Sequence, residues 1–265
     1  MSASLGRIYA LVLRHIYIWR SSVMRLVDSI YWPAVQMVMW GFLTQFLLPQ
    51  TSYVAQAAGV LLSGLLLWEV VVRGNLSLSI AFLEEMWSRN LGHLFVSPIR
   101  SWELATGIII AALLRTLLGM VPVSLLAWAF FGYSVYSLGL PLIAFFAILQ
   151  MFSWSIGLAM SGLVMRVGQS AESFAWAAVF ILMPVSGVYY PVSVLPDWLQ
   201  VIAWALPTSY VFEGMRAILT DNVVHWDLLA IAFGLSVVYL VAGFQVFQWF
   251  FRLSRRAGSL LGQGE

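Results

Sequence analysis

The chain has 265 residues, of which 62% are hydrophobic and only 9% charged, where soluble domains carry about 25% charged residues. A soluble chain of this length has too much surface for its volume to hide that much apolar material, so the composition calls for lipid as solvent. The chain has no cysteine, which excludes disulfides and thiolate metal sites. Its net charge of +2 could point to nucleic acid, but the basic residues, all thirteen of them arginine, sort by side of a membrane instead.

Residues 4–25 read as an amphipathic helix. Leu5, Ile8, Val12, Ile16, Trp19 and Val23 share one face, with Arg7, Arg14 and Arg25 opposite. Such a helix binds the membrane interface or packs on a cytosolic partner. The arginines are scattered through it without the uninterrupted apolar core of a signal peptide.

A helix crosses the hydrocarbon core in about 20 residues. No charge occurs between Ser29 and Trp68, and Pro49 to Ser52 breaks that run into one span and most of a second. The third span is expected over about Glu103 to Phe131 and the fourth over about Leu138 to Met165, with a turn at Gly132 to Gly139. The fifth runs from about Glu172 to Tyr190 and the sixth from about Asp227 to Phe251. Leu195 to Leu219 is apolar but interrupted by Pro196, Asp197, Pro207, Glu213 and Arg216. It reads as two short helices in a re-entrant hairpin whose backbone is shielded by protein.

Arginine placement orients the chain. The N-terminal segment, the loop with Arg89 and Arg100, the loop with Arg166, and the tail with Arg252, Arg255 and Arg256 lie on one side. The opposite turns carry none, and the hairpin has only Arg216 among several acids. Both termini are therefore expected in the cytoplasm.

Three charges fall inside the expected spans. Glu69 and Arg73 can pair at i+4 on the second span. Arg115 lies 12 residues into the third span, and Glu69 lies 12 before Ala81, so both sit roughly 18 Å deep. An ion pair between Glu69 and Arg115, shared with Arg73, is expected, serving packing or forming a polar station on a transport path. The tryptophans at 32, 40, 68, 154, 176 and 204 fit an interfacial belt or sugar and headgroup stacking. Pro184 and Gly187 weaken the end of span five, as a kink or as a hinge.

Residues 84–98 read EEMWSRNLGHLFVSP. Trp87, Leu91, Leu94 and Phe95 form a helical stripe, Glu85 and Arg89 can pair, and Pro98 ends the helix. This predicts a short helix along the membrane that docks a cytoplasmic protein or rests on the bilayer. No phosphate-binding loop, HExxH, CxxC or Gly-x-Ser-x-Gly pattern is present, and a chain without lysine cannot form the phosphate-binding loop at all.

The stretch LFVSPIRSWELATG, Leu94 to Gly107, resembles the SPI-x-x-x-E-x-x-x-G motif that follows the coupling helix in ABC transporter permeases of the second type. Pro184 to Leu219, PVSGVYYPVSVLPDWLQVIAWALPTSYVFEGMRAIL, is similar to the signature before the last span in the same family. Met86 and Trp87 stand where many members carry arginine and then glycine. The resemblance implies a single all-α permease domain over residues 1–265. It has six transmembrane helices, an amphipathic helix over 4–25, a coupling helix over 84–98 and an extracytoplasmic re-entrant hairpin over 195–219. It implies an inner-membrane export subunit without catalytic residues, metal or cofactor, whose pairing with a second copy builds the path. Two copies of a separate ABC ATPase would bind ATP and Mg. Glu84, Glu85, Arg89, Leu94, Ser97 and Pro98 would contact that ATPase. Pro191, Pro196, Pro207, Glu213 and Arg216 would build the hairpin. An ATP-independent secondary transporter or channel is the other reading, for which the usual inverted repeat is not visible. An intramembrane protease or haem-handling enzyme lacks its nucleophile, base and ligands.

Overall fold

The computed structural model describes residues 3–21, 23–47, 52–87, 98–167 and 171–257. Within these residues the chain forms nine α-helices. They are α1 (Ala3–Arg20), α2 (Val23–Leu47), α3 (Ser52–Trp87), α4 (Ser101–Phe131), α5 (Pro141–Val167), α6 (Ala171–Val185), α7 (Asp197–Ala205), α8 (Pro207–Asp221) and α9 (Trp226–Ala257). No strand occurs among the described residues, and helices suit a bilayer because each satisfies its backbone polar groups internally.

Among the described residues, four stretches are long and apolar enough to cross a membrane: Gly59–Ala81, Trp102–Phe131, Pro141–Arg166 and Trp226–Ser254. They fall where the sequence predicts spans two, three, four and six. α2 and α6 occupy the places of the other two. α6 stops at Val185, five residues short of the expected end, because the chain turns at Ser186 and Gly187. Gly187 has φ +63°, a left-handed conformation that a Cβ would strain. The Tyr190 hydroxyl then donates to the Pro184 carbonyl at 2.6 Å, at the end of the interrupted helix. The turn between the third and fourth spans is built from Gly132 and Gly139, both with φ +64°, around a 3₁₀ turn at Val135–Leu138.

α3 is the central helix. Its span is 78% buried, against 22% for the span in α9. α5 packs between α3 and α9. At its closest approach to α9, a Cβ on Gly243 would stand 2.3 Å from the Ser155 carbonyl oxygen. Small residues at such a crossing let two backbones meet. Ser236 and Ser254 of α9 donate to the Ile148 and Met165 carbonyls of α5. On the other side of α5, Ser161 donates to Leu78 O of α3. One apolar cluster joins Leu65, Leu66 and Val71 of α3 to Phe145 and Phe152 of α5 and Phe212 and Met215 of α8. A second lies toward the opposite end of the bundle, where Leu11, Leu78, Ile108, Met165 and Phe247 meet.

The face of α1 differs from the one read from periodicity. Ile8, Leu11, His15 and Trp19 are buried, while Leu5 and Val23 are exposed. The helix is rotated so that Arg7 points at α4 rather than into solvent.

Candidate functional site

Three clusters of polar side chains stand out along the bundle, one at each end and one between them. The first joins α1 to the start of α4. Arg7 donates Nε–H to Glu103 Oε2 at 2.9 Å and Nη2–H to Oε1 at 2.6 Å, a bidentate pair. The Glu103 side chain has no solvent exposure. It also accepts the Arg100 backbone N–H at 3.0 Å, which closes the first turn of α4. One helical turn further on, Gly107 packs against the Leu11 side chain. The Glu and Gly of the SPI-x-x-x-E-x-x-x-G motif thus form the seat of the N-terminal helix. Glu103 and Arg7 were not singled out from the sequence as a site. The fixed spacing of Glu103 after Ser97-Pro98 was the available signal.

Most of the expected coupling helix lies outside the described residues, including Arg89, Leu94 and Ser97. Glu84 and Glu85 continue α3, which runs unbroken to Trp87, and Glu84 is half-buried. Pro98 is exposed, just ahead of Arg100 and the start of α4.

The second cluster is intramembrane. Glu69 and Arg73 pair one turn apart on α3, Oε2 to Nε 3.5 Å. Arg115 of α4 faces the same space and donates Nε–H to Ser29 Oγ of α2 at 3.3 Å. All three charges line a cavity of about 320 Å³, with Gln36 and Trp32 from α2 and Trp176 and Phe180 from α6. Spacing put Glu69 and Arg115 at one depth, and the structure brings them to one cavity. Glu69 is in contact with Arg73, and Arg115 with Ser29.

The third cluster ties α8 to the turn leaving α6. Pro196 precedes the first residue of α7 and Pro207 is the first residue of α8, where a missing N–H costs nothing. Glu213 Oε1 accepts the Val192 backbone N–H at 2.7 Å and pairs with Arg216 Nη2 at 3.1 Å. The same Nη2 donates to the Gly187 carbonyl at 2.7 Å. The E-x-x-R spacing places both side chains on one face of α8, where they hold both arms of the 187–192 turn. Thr208 adds a hydroxyl bond to Ser186 at 2.9 Å. Pro191 begins the 3₁₀ turn at Val192–Val194. Inward from this turn, Tyr189 stacks on Trp40 with ring centroids 5.0 Å apart. Phe212 of α8 lies against Trp68 of α3, next to Glu69 in sequence.

The clamp makes a direct prediction. Glu213→Ala removes the acceptor of the Val192 N–H and the partner of Arg216. It is expected to lower stability by about 1–3 kcal/mol and to speed chymotryptic cleavage after Tyr189 in the solubilised protein. Unchanged cleavage would show that the clamp does not order the turn.

Long apolar helices and interhelical contacts through small residues define a multi-pass membrane protein. Residues 9–220 match the family described as ABC-2 type transporter, and the chain belongs to that family. It is 24% identical over 184 residues to the inner membrane transport permease YadH of Escherichia coli K12, covering 68% of each chain. The same identity and coverage hold for the proteins of that name from Escherichia coli O157:H7 and Shigella flexneri. The chain is accordingly a transport permease of the inner membrane.

Proposed function

We propose that this permease is the membrane subunit of an ATP-driven exporter and forms the translocation path, with the motor on a separate ABC ATPase. One observation carries the reading. A member of a transporter family that contains no lysine has no phosphate-binding loop of its own, so the energy for export comes from a partner. Six spans, with both termini cytoplasmic, fit the arginine distribution. α1 lies at the cytoplasmic interface. Residues 84–98 take the ATPase contact, and α7 with α8 form the extracytoplasmic re-entrant hairpin. A second permease copy completes the path, and two ATPase copies bind ATP and Mg.

In this scheme the push from the ATPase reaches the bundle through the segment between α3 and α4. Arg7 and Glu103 stand just beyond it, so α1 and the start of α4 move as one piece. The intramembrane cavity lies farther along the same two helices, and the clamped 187–192 turn closes the far end.

The test is Leu94→Asp in the full complex. The variant is expected to insert normally and retain ATP hydrolysis by the partner, with export reduced by at least about tenfold, since a buried charge disrupts an apolar contact. Export at the wild-type rate would end the coupling assignment. Co-purification of a stoichiometric ABC ATPase is the expected companion result. Export by the permease alone in liposomes would favour the secondary-transporter reading instead.

A further inference from the structure

We infer that the 187–192 turn is a hinged lid over one end of the intramembrane cavity, latched shut by α8. The inference deepens the reading of the chain as a path-forming permease and rests on it. Position comes first. Gln36 of α2 and Glu69 of α3 line the cavity. Trp40 lies four residues beyond Gln36, toward the end of α2, and Gly64 five residues before Glu69, toward the start of α3. By helical rise they stand roughly 6 and 7.5 Å past the cavity wall, on the side where α2 ends and α3 begins. The turn lands on both. The Val188 carbonyl rests on Gly64, where a Cβ would come within 2.7 Å of its oxygen. The ring of Tyr189 stacks on Trp40, with centroids 5.0 Å and planes 19° apart. Two consecutive residues thus bridge the two helices just past the cavity. The Glu69 carboxylate is within electrostatic reach of the Tyr189 hydroxyl, which ties the ring to that end of the cavity.

The way the turn is held makes it movable. α8 grips it by its arms, through Arg216 on the Gly187 carbonyl and Glu213 on the Val192 N–H. The position of α8 therefore sets the position of both arms. Gly187, with φ +63°, supplies a hinge at one of them, as small residues at segment ends often do. The Tyr189 hydroxyl is buried and finds no hydrogen-bond partner among the described residues. A buried hydroxyl without an acceptor costs free energy, and lifting the ring into water recovers it. Closure rests on the Trp40 stack, the Gly64 seat and the α8 latch, and a shift of α8 that releases Gly187 and Val192 frees the lid.

The chain has no cysteine, so Gln36→Cys puts a single thiol in the cavity. The probe is a membrane-impermeant maleimide, added to sealed vesicles of either sidedness that carry the full-length permease. Val223→Cys, in the exposed turn between α8 and α9, marks the side on which the lid lies. From that side, Gln36→Cys is expected to stay protected. Adding Tyr189→Ala, which removes the stacked ring, or Gly64→Ala, whose methyl displaces the Val188 carbonyl, is expected to raise its labelling rate by about tenfold or more. The second variant keeps the test decisive should the first fold poorly. Tyr189→Phe keeps the ring and the protection. Glu213→Ala releases the latch and speeds labelling. Ala232→Cys, fully buried in α9, stays unlabelled in each lid variant. Rapid labelling of Gln36→Cys alone would overturn the closed lid. A rate unchanged by both Tyr189→Ala and Gly64→Ala would overturn the turn as the barrier, and a rate unchanged by Glu213→Ala would overturn the latch. Labelling of Ala232→Cys in the lid variants would replace the lid with general loosening. Co-purification of the ATPase reports on the exporter reading separately, so its failure is distinguishable from failure of the lid.

Discussion

Replacing Arg7 with leucine is expected to destabilise the protein more than replacing Arg7 and Glu103 together. The single change leaves the Glu103 carboxylate inside the protein with only the Arg100 N–H and the Ser4 hydroxyl for company. A buried charge stripped of its partner is worse than no charge, because its desolvation is no longer offset. Arg7→Leu with Glu103→Leu removes both charges and leaves an apolar contact between α1 and α4, beside the one Leu11 and Gly107 already make. The check is the temperature at which the solubilised protein loses its monodisperse elution. The single variant is expected to drop by roughly 5 °C or more, and the double variant by clearly less. A double variant that melts at or below the single would mean that the pair acts through something other than charge compensation. The result also bears on transport, since a loosened α1 would no longer follow the start of α4.

The lipid solvent explains why so much of the fold was readable. A hydrocarbon slab imposes a length on each helix, and uncharged runs of that length give the helix positions without knowledge of neighbours. The prolines at 196 and 207 marked the two short helices for an equally local reason, since proline is favoured at or just before a helix start. What periodicity could not supply was direction. α1 has apolar residues on more than one side, and the Glu103 carboxylate, 96 positions away, decides which side faces the bundle. The same limit applied to the charges. Helical rise gave Glu69 and Arg115 a common depth, but not that Ser29 of α2 would be within reach of Arg115. The E-x-x-R spacing in α8 was recognisable as a motif. Its physical meaning, a clamp on two backbone groups of the preceding turn, needs the folded path from Gly187 to Val192.

Gly243→Leu is expected to be strongly destabilising, and Gly234→Leu in the same helix not destabilising at all. At Gly243 the first added carbon would stand 2.3 Å from the Ser155 carbonyl oxygen and 2.8 Å from its Cα. The obstruction is backbone, so no rotamer change relieves it, and α9 must move away from α5. That motion would draw Ser236 and Ser254 from the carbonyls of Ile148 and Met165 and open the contact of Phe247 and Phe250 with Gly162. Overpacking by side chains costs about 1–3 kcal/mol, and a backbone clash that separates two helices stands at or above the top of that range. Gly234 has nothing within 4 Å of its missing Cβ and is exposed. Leucine there meets lipid and is a better helix former than glycine, so no loss of stability is expected. Expression level and melting temperature of the two variants, side by side, separate close packing from a general intolerance of large residues in α9. Equal behaviour of the pair would mean that α5 and α9 are not held at this crossing.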